Sequence, residues 1–168
     1  LQNRGYDSAG ITTITKDKHF ITHKYSSSRE TNAVEILKTK RSSHKGHTCG
    51  IGHTRWATHG AKTDYNAHPH VSFDGLFSLV HNGILENFQV LKEKLLSNNI
   101  SFSSQTDTEV IVNLIAYHYH IILSYHSPSE NKQNKRKNIK RAIQQALEEM
   151  EGTWGIVVIS TLDPDTLY

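Results

Sequence analysis

The sequence predicts a layered α+β fold with largely antiparallel sheets. Three observations carry this: strand-like runs come in groups instead of alternating one for one with helices, the chain opens on two β-branched runs joined by a short polar turn, and long helical patterns fill its second half. At 168 residues and 36% hydrophobic, the chain can bury one core of ordinary size, so a single domain or part of one is expected.

The elements follow in order. Ser8 to Thr15 and Phe20 to Tyr25 are rich in Ile and Thr, and Lys16, Asp17 and Lys18 between them suggest a hairpin. Thr31 to Thr39 carries a helical apolar stripe through Ala33, Val34, Ile36 and Leu37, and the polar run KRSSHKGH ends it. Cys49 to Ala57 and Leu76 to Ile84 read as strands, separated by a polar loop bearing Gly, Pro, Asn and His. Glu86 to Leu96 is amphipathic through Phe88, Leu91 and Leu95, and Ile100 to Ser103 alternates like a short strand. A long helix is expected from Thr106, where Thr106 and Glu109 have the spacing of a capping box and Asp107 falls in the first turn. Residues 124–138 are polar, carry Pro128 and read as a mobile insertion loop. Ile139 to Met150 is helical again, Gly152 closes it, and WGIVVISTL from Trp154 has the pattern of a buried strand.

Composition narrows the function. The formal charge of +3 comes mostly from residues 132–141, KQNKRKNIKR, which hold six Lys or Arg and no acid. Without interleaved aromatics this run reads as a solvated surface, so nucleic-acid binding is not expected. No stretch approaches the roughly 18 apolar residues of a membrane span. The one cysteine, Cys49, rules out an internal disulfide framework and fits a reducing compartment, so a cytoplasmic location is expected.

Three polar clusters could carry chemistry. HTRWATHG, His53 to Gly60, leaves a strand and places Arg55, Trp56, Thr58 and His59 at its mouth. A planar guanidinium binds a carboxylate in bidentate fashion, although an arginine at a strand end is more often a structural ion pair. VHNGILEN, Val80 to Asn87, runs a buried strand into Asn82 and Gly83. Asn-Gly is usually a turn; its functional alternative is an oxyanion hole made of a side-chain amide and a backbone N–H. QTDTEV, Gln105 to Val110, offers Asp107 to a substrate ammonium, or to nothing more than the dipole of its own helix. Together, a carboxylate binder, an ammonium binder and an oxyanion donor pair describe α-amino-acid recognition with acyl chemistry.

Metal binding is the competitor, because the chain holds 12 His, including His68 and His70 in HPH and His118 and His120 in HYH. His118 and His120 stand two apart in an expected helix and so point away from each other, and no Cys or acid recurs at ligand spacing. These are read as surface histidines, with no metal site. No phosphate-cradling glycine motif is present, so no nucleotide cofactor is expected.

RGYDSAGI (Arg4 to Ile11), GIGHTRWATHG (Gly50 to Gly60), NAHPH (Asn66 to His70), VHNGILEN and TDTEVI (Thr106 to Ile111) occur in the order seen in the glutamine-fructose-6-phosphate aminotransferases, which the chain resembles over nearly its whole length. The resemblance implies the N-terminal-nucleophile (Ntn) hydrolase fold, a four-layer αββα sandwich of antiparallel sheets, here cut at both ends, with residues 1–168 as a partial class II amidotransferase domain. It also implies roles. Arg55 would hold the glutamine α-carboxylate, helped by Thr58 and His59, and Asp107 would take the α-ammonium. Asn82 and Gly83 would form the oxyanion hole, His68 would lie near the glutamine, Arg4 would frame the nucleophile, and Trp56 would gate ammonia.

The family's chemistry is covalent: a cysteine at the amino terminus of the mature chain attacks the glutamine amide, and its own α-amine accepts the thiol proton. Cys49 lies inside the chain at the start of a strand and reads as core. The 168 residues as they stand are therefore expected to bind glutamine weakly and not to hydrolyse it. The parent protein would pass the nitrogen to fructose 6-phosphate in a separate isomerase domain, as a homo-oligomer. Two other readings stay open: a non-catalytic glutamine-binding or scaffold module, and a phosphoribosyl-pyrophosphate amidotransferase-like glutaminase.

Overall fold

A computed structural model describes residues 7–56 and 61–168. Strand β1 (Ser8–Ile14) and strand β2 (Phe20–Ser26) form the expected hairpin, with Ile14 opposite Phe20. Strand β3 (Gly50–Arg55) pairs antiparallel on the other side of β1, giving a first sheet of order β2-β1-β3. The second sheet has the order β4-β5-β6-β7, also antiparallel: β4 (His70–Val71), β5 (Phe77–Leu85), β6 (Gly152–Ser160) and β7 (Asp163–Leu167).

Helix α1 (Ala33–Thr39) packs on the outside of the first sheet; α2 (Phe88–Ser97), α3 (Asp107–Ser124) and α5 (Lys135–Glu149) lie on the second-sheet side of the molecule. The order of layers is thus helix, sheet, sheet, helix. Between α3, α5 and the second sheet lies the main core, centred on Phe77, Leu79, Ile111, Leu114, Ile115, Ile139 and Val158, all fully buried. Between the two sheets the apolar contact is small: Ile14, Ile51, Val80 and Ile159, with Cys49 against them. The rest of the space between the sheets is polar, and the candidate site lies there.

The structure departs from the sequence expectations in four places. Ile100 to Ser103 is not a strand, because Glu109 at the start of α3 reaches back to accept from the backbone N–H of Ser103 (2.8 Å) and of Ser104 (2.6 Å). The capping box is accordingly half formed: Thr106 Oγ1 accepts from Glu109 N at 3.4 Å, while the Glu109 carboxylate serves the preceding loop. Residues 124–138 are not a loop. Helix α4 (Pro128–Gln133) starts there on a complete capping box, Ser127 with Glu130, with proline at its first turn, and the basic run spans the end of α4 and the first turns of α5. Within that run Arg136 clamps β7, donating to Asp163 Oδ2 at 2.8 Å and Oδ1 at 3.0 Å. Finally, Gly152 opens β6 instead of closing a helix, which ends at the Met150 cap.

Candidate active site

The sequence clusters are brought together at one end of the sheets. On β3, side chains alternate, so Ile51, His53 and Arg55 share the face turned toward the second sheet. Gly10 of β1 lies opposite His53 in register, and a Cβ at Gly10 would fall 2.1 Å from the His68 carbonyl oxygen, so only glycine admits the His68 loop against this sheet. That loop is fastened from both sides. Lys24 on β2 donates to the carbonyls of Tyr65 (3.1 Å) and Ala67 (2.8 Å), and burial lowers its pKa to about 8. Asn66 donates to Ala61 O at 2.8 Å and accepts from Gln105 N at 3.0 Å, tying NAHPH to QTDTEV.

Asp107 stands in the first turn of α3, as expected, but its carboxylate also holds β5: Oδ2 accepts from Leu85 N at 3.0 Å. Thr108 donates to Asp107 Oδ1 at 3.4 Å. Thr108 Oγ1 also lies 3.1 Å from His68 Nε2 and 3.2 Å from His81 Nδ1, so one hydroxyl joins both rings to the start of α3. His70 Nε2 meets Thr106 Oγ1 at 3.0 Å. Across the sheets His53 Nε2 lies 2.7 Å from Asn82 Oδ1, and the His53 and His68 rings lie face toward face, 4.6 Å apart at 33°.

His53, Thr54, Arg55, Trp56, His68, His81, Asn82, Gly83, Asp107 and Thr108 line a cavity of about 240 Å³. Arg55 and Asp107 are 5% and 8% exposed, so its two formal charges, one of each sign, are both largely withdrawn from bulk water. Burial lowers the Arg55 pKa, and the carboxylates of Asp107 and Asp7 oppose that loss. The imidazoles go the other way from charge. Burial holds His68 and His70 well below the usual histidine range, with Arg55 and neighbouring rings adding to it, and burial lowers His53 and His81 as well. The cavity therefore presents a guanidinium, a carboxyl group and hydrogen-bonding rings that burial keeps from charge, a pattern complementary to a zwitterion.

At the rim, β5 leaves the core. Its residues are buried from Phe77 to His81, exposed at Asn82, Gly83 and Ile84, and buried again at Leu85. Gly83 has φ 136°, and a Cβ there would lie 2.0 Å from the carbonyl oxygen of Thr153 on β6, so no other residue fits this close pairing. An Asn-Gly pair in mid-strand is not the usual turn. Trp56 is exposed beside the cavity. Arg4, Thr58 and His59 lie outside the described residues.

The histidines expected at the surface are a correction: His68, His70 and His118 are buried. His118 and His120 do point apart, to Glu149 and Asp74, each at 2.8 Å. Among the described residues no group of three His, Cys, Asp or Glu side chains is arranged to hold a metal. Cys49 lies outside the cavity, and burial followed by Asp165 and Asp163 raises its thiol pKa, which leaves less thiolate to react. Sequence reasoning missed His53, His81 and Thr108 as cavity residues. The signal was available for His53, two residues before Arg55 on one strand face.

Two facing antiparallel sheets, helices outside them and a charged cavity where the strands end define a layered α+β domain with a polar cavity between its sheets. Residues 38–123 match the family model described as glutamine amidotransferase domain, and the chain belongs to that family. It is 39% identical over 99% of its length to a glutamine--fructose-6-phosphate aminotransferase [isomerizing] of Chlorobaculum tepidum. It is 44% identical over 99% of its length to the corresponding protein of Methanosarcina acetivorans. It spans about a quarter of these relatives, 25% in both cases. Among solved structures, the glutamine phosphoribosylpyrophosphate amidotransferase from B. subtilis superposes with a TM-score of 0.67 at 26% identity, over 96% of this chain and 30% of that one. The fold is accordingly that of the Ntn-hydrolase amidotransferases.

Proposed function

We propose that this domain binds glutamine between its sheets and releases the side-chain amide as ammonia. The observation that carries this reading is the joint placement of Arg55, Asp107, Asn82 and Gly83 around one cavity of about 240 Å³. In it, Arg55 receives the α-carboxylate and Asp107 the α-ammonium, with His68 beside the substrate. Thr58 and His59 assist Arg55, Arg4 frames the nucleophile and Trp56 gates the exit of ammonia.

The side-chain amide then lies toward Asn82 and Gly83. A thiolate attacks the amide carbon, a C–S bond forms, and the carbonyl electron pair moves onto oxygen, where the Asn82 amide and the Gly83 N–H stabilise it. Collapse expels the nitrogen as ammonia once it is protonated, and water cleaves the thioester to glutamate and free thiol. Cys49 is not that thiol; in this reading it is the amino-terminal cysteine of the mature protein, whose α-amine takes and returns the proton.

The activity proposed for the whole protein is transfer of the nitrogen to fructose 6-phosphate, giving glucosamine 6-phosphate, in a cytoplasmic homo-oligomer. The curated relatives favour this acceptor over phosphoribosyl pyrophosphate, at 39% and 44% identity against 26% for the solved amidotransferase. Among the described residues no helix is long and apolar enough to cross a membrane.

In the full-length protein, Arg55→Lys replaces a planar two-point donor with a single ammonium, and Asp107→Asn removes the anion. Each should raise the KM for glutamine at least about 10-fold, measured by glutamate release. Unchanged KM in both variants would sink the assignment, and binding without glutamate release by the unaltered protein would make the domain a glutamine-binding module.

A further inference from the structure

His53 is hydrogen-bonded to the Asn82 side chain, 2.7 Å from its Nε2 to Oδ1. The contact joins the two sheets, since His53 is on β3 and Asn82 on β5. His53 itself is fixed by its place opposite Gly10 and by the His68 ring 4.6 Å away. Its other nitrogen, Nδ1, is buried with no hydrogen-bond partner among the described residues, on a ring that also feels the positive field of Arg55.

That asymmetry selects the tautomer. A neutral imidazole carries one N–H, and a buried N–H with no acceptor is the costlier arrangement, the more so on a ring in the field of a guanidinium. The proton therefore sits on Nε2, which donates to Asn82 and demands an oxygen there. With Oδ1 turned to His53, both N–H bonds of Asn82 Nδ2 are left for the cavity. The reversed amide would set an oxygen lone pair against a developing oxyanion.

We propose that His53 is a positioning residue that fixes the Asn82 amide with its N–H donors toward the reacting carbonyl. This rests on the oxyanion role proposed for Asn82. His53 touches no reacting atom; it removes the wrong rotamer of a group that does. Misplacing such a donor costs part of what its removal costs, so about 10- to 100-fold in rate is expected.

The test is glutamate release by the full-length protein carrying His53→Leu, His53→Gln, Asn82→Ala and the His53→Leu/Asn82→Ala pair. His53→Leu should lower kcat about 10- to 100-fold with the KM for glutamine within about twofold. Glutamine places an amide N–H near the former Nε2, so His53→Gln should restore kcat to within about threefold of the unaltered protein. The double variant should be no slower than Asn82→Ala alone. If Asn82→Ala itself leaves kcat unchanged, the oxyanion reading fails, and this one with it. If Asn82→Ala is slow but His53→Leu is not, or if His53→Leu slows the Asn82→Ala background by its full factor, the positioning role is overturned and the Asn82 assignment stands. Should His53→Leu not fold by circular dichroism, His53→Gln is compared with His53→Asn, whose amide is one carbon short; equal kcat values would overturn the proposal.

Discussion

Strand β5 contains two regions that the fold treats differently. From Phe77 to His81 every residue is buried, and Phe77 and Leu79 sit in the main core against α3 and β6. From Asn82 to Ile84 the same strand is exposed and keeps its pairing with β6, and Asn82 and Gly83 edge the cavity. The inner half is held largely by the apolar contacts of Phe77 and Leu79, so loss of volume there is costly. The outer half contributes little to packing, so its residues are free to be chosen for what they do to a ligand. Continuity of one strand is what transfers the rigidity of the first to the second.

Shortening the inner half gives the largest effect. Phe77→Ala leaves a cavity beside Tyr119, whose ring centroid is 5.4 Å from that of Phe77. It should cost about 3–5 kcal/mol in urea unfolding, with activity per folded molecule little changed. A cost under about 1 kcal/mol would show that β5 is not anchored there.

Acid gives a smaller effect, and acts on the buried histidines of the neighbouring loop and β4. His68 and His70 stay neutral in the folded state because burial lowers their pKa, whereas in the unfolded chain they take protons below about 6.5. Below that pH the unfolded state binds more protons, so stability falls as pH falls, by up to ~1.4 kcal/mol per unit for each ring. Urea midpoints at pH 7.5, 6.5 and 5.5 should be flat over the first interval and drop over the second. His68→Gln/His70→Gln should flatten the drop; no change in slope would mean that the rings are protonated when folded.

The sequence made most of this fold legible where the signal was local. The opening hairpin, α1, β3 and β5 lie within about two residues of their expected places, because alternation and capping depend on near neighbours. The losses came from partners distant in sequence or from local signals given too little weight. Ile100 to Ser103 alternates like a strand, but its N–H groups go to Glu109. Polar composition hid α4, though Ser127, Pro128 and Glu130 spelled its start. His68 and His70 looked like surface residues because the hydroxyls that satisfy them, on Thr108 and Thr106, are 40 and 36 residues away. Arg55, Asn82, Gly83 and Asp107 were identified as a set, and the cavity they share is the feature that single motifs could not supply.

The most direct measurement is Asn82→Ala in the full-length protein, read twice. If the outer half of β5 serves chemistry, kcat for glutamate release falls about 10²- to 10³-fold while the thermal midpoint moves by no more than about 2 °C. A midpoint lowered by many degrees, with kcat per folded molecule intact, would contradict the division of the strand and the role given to its exposed end.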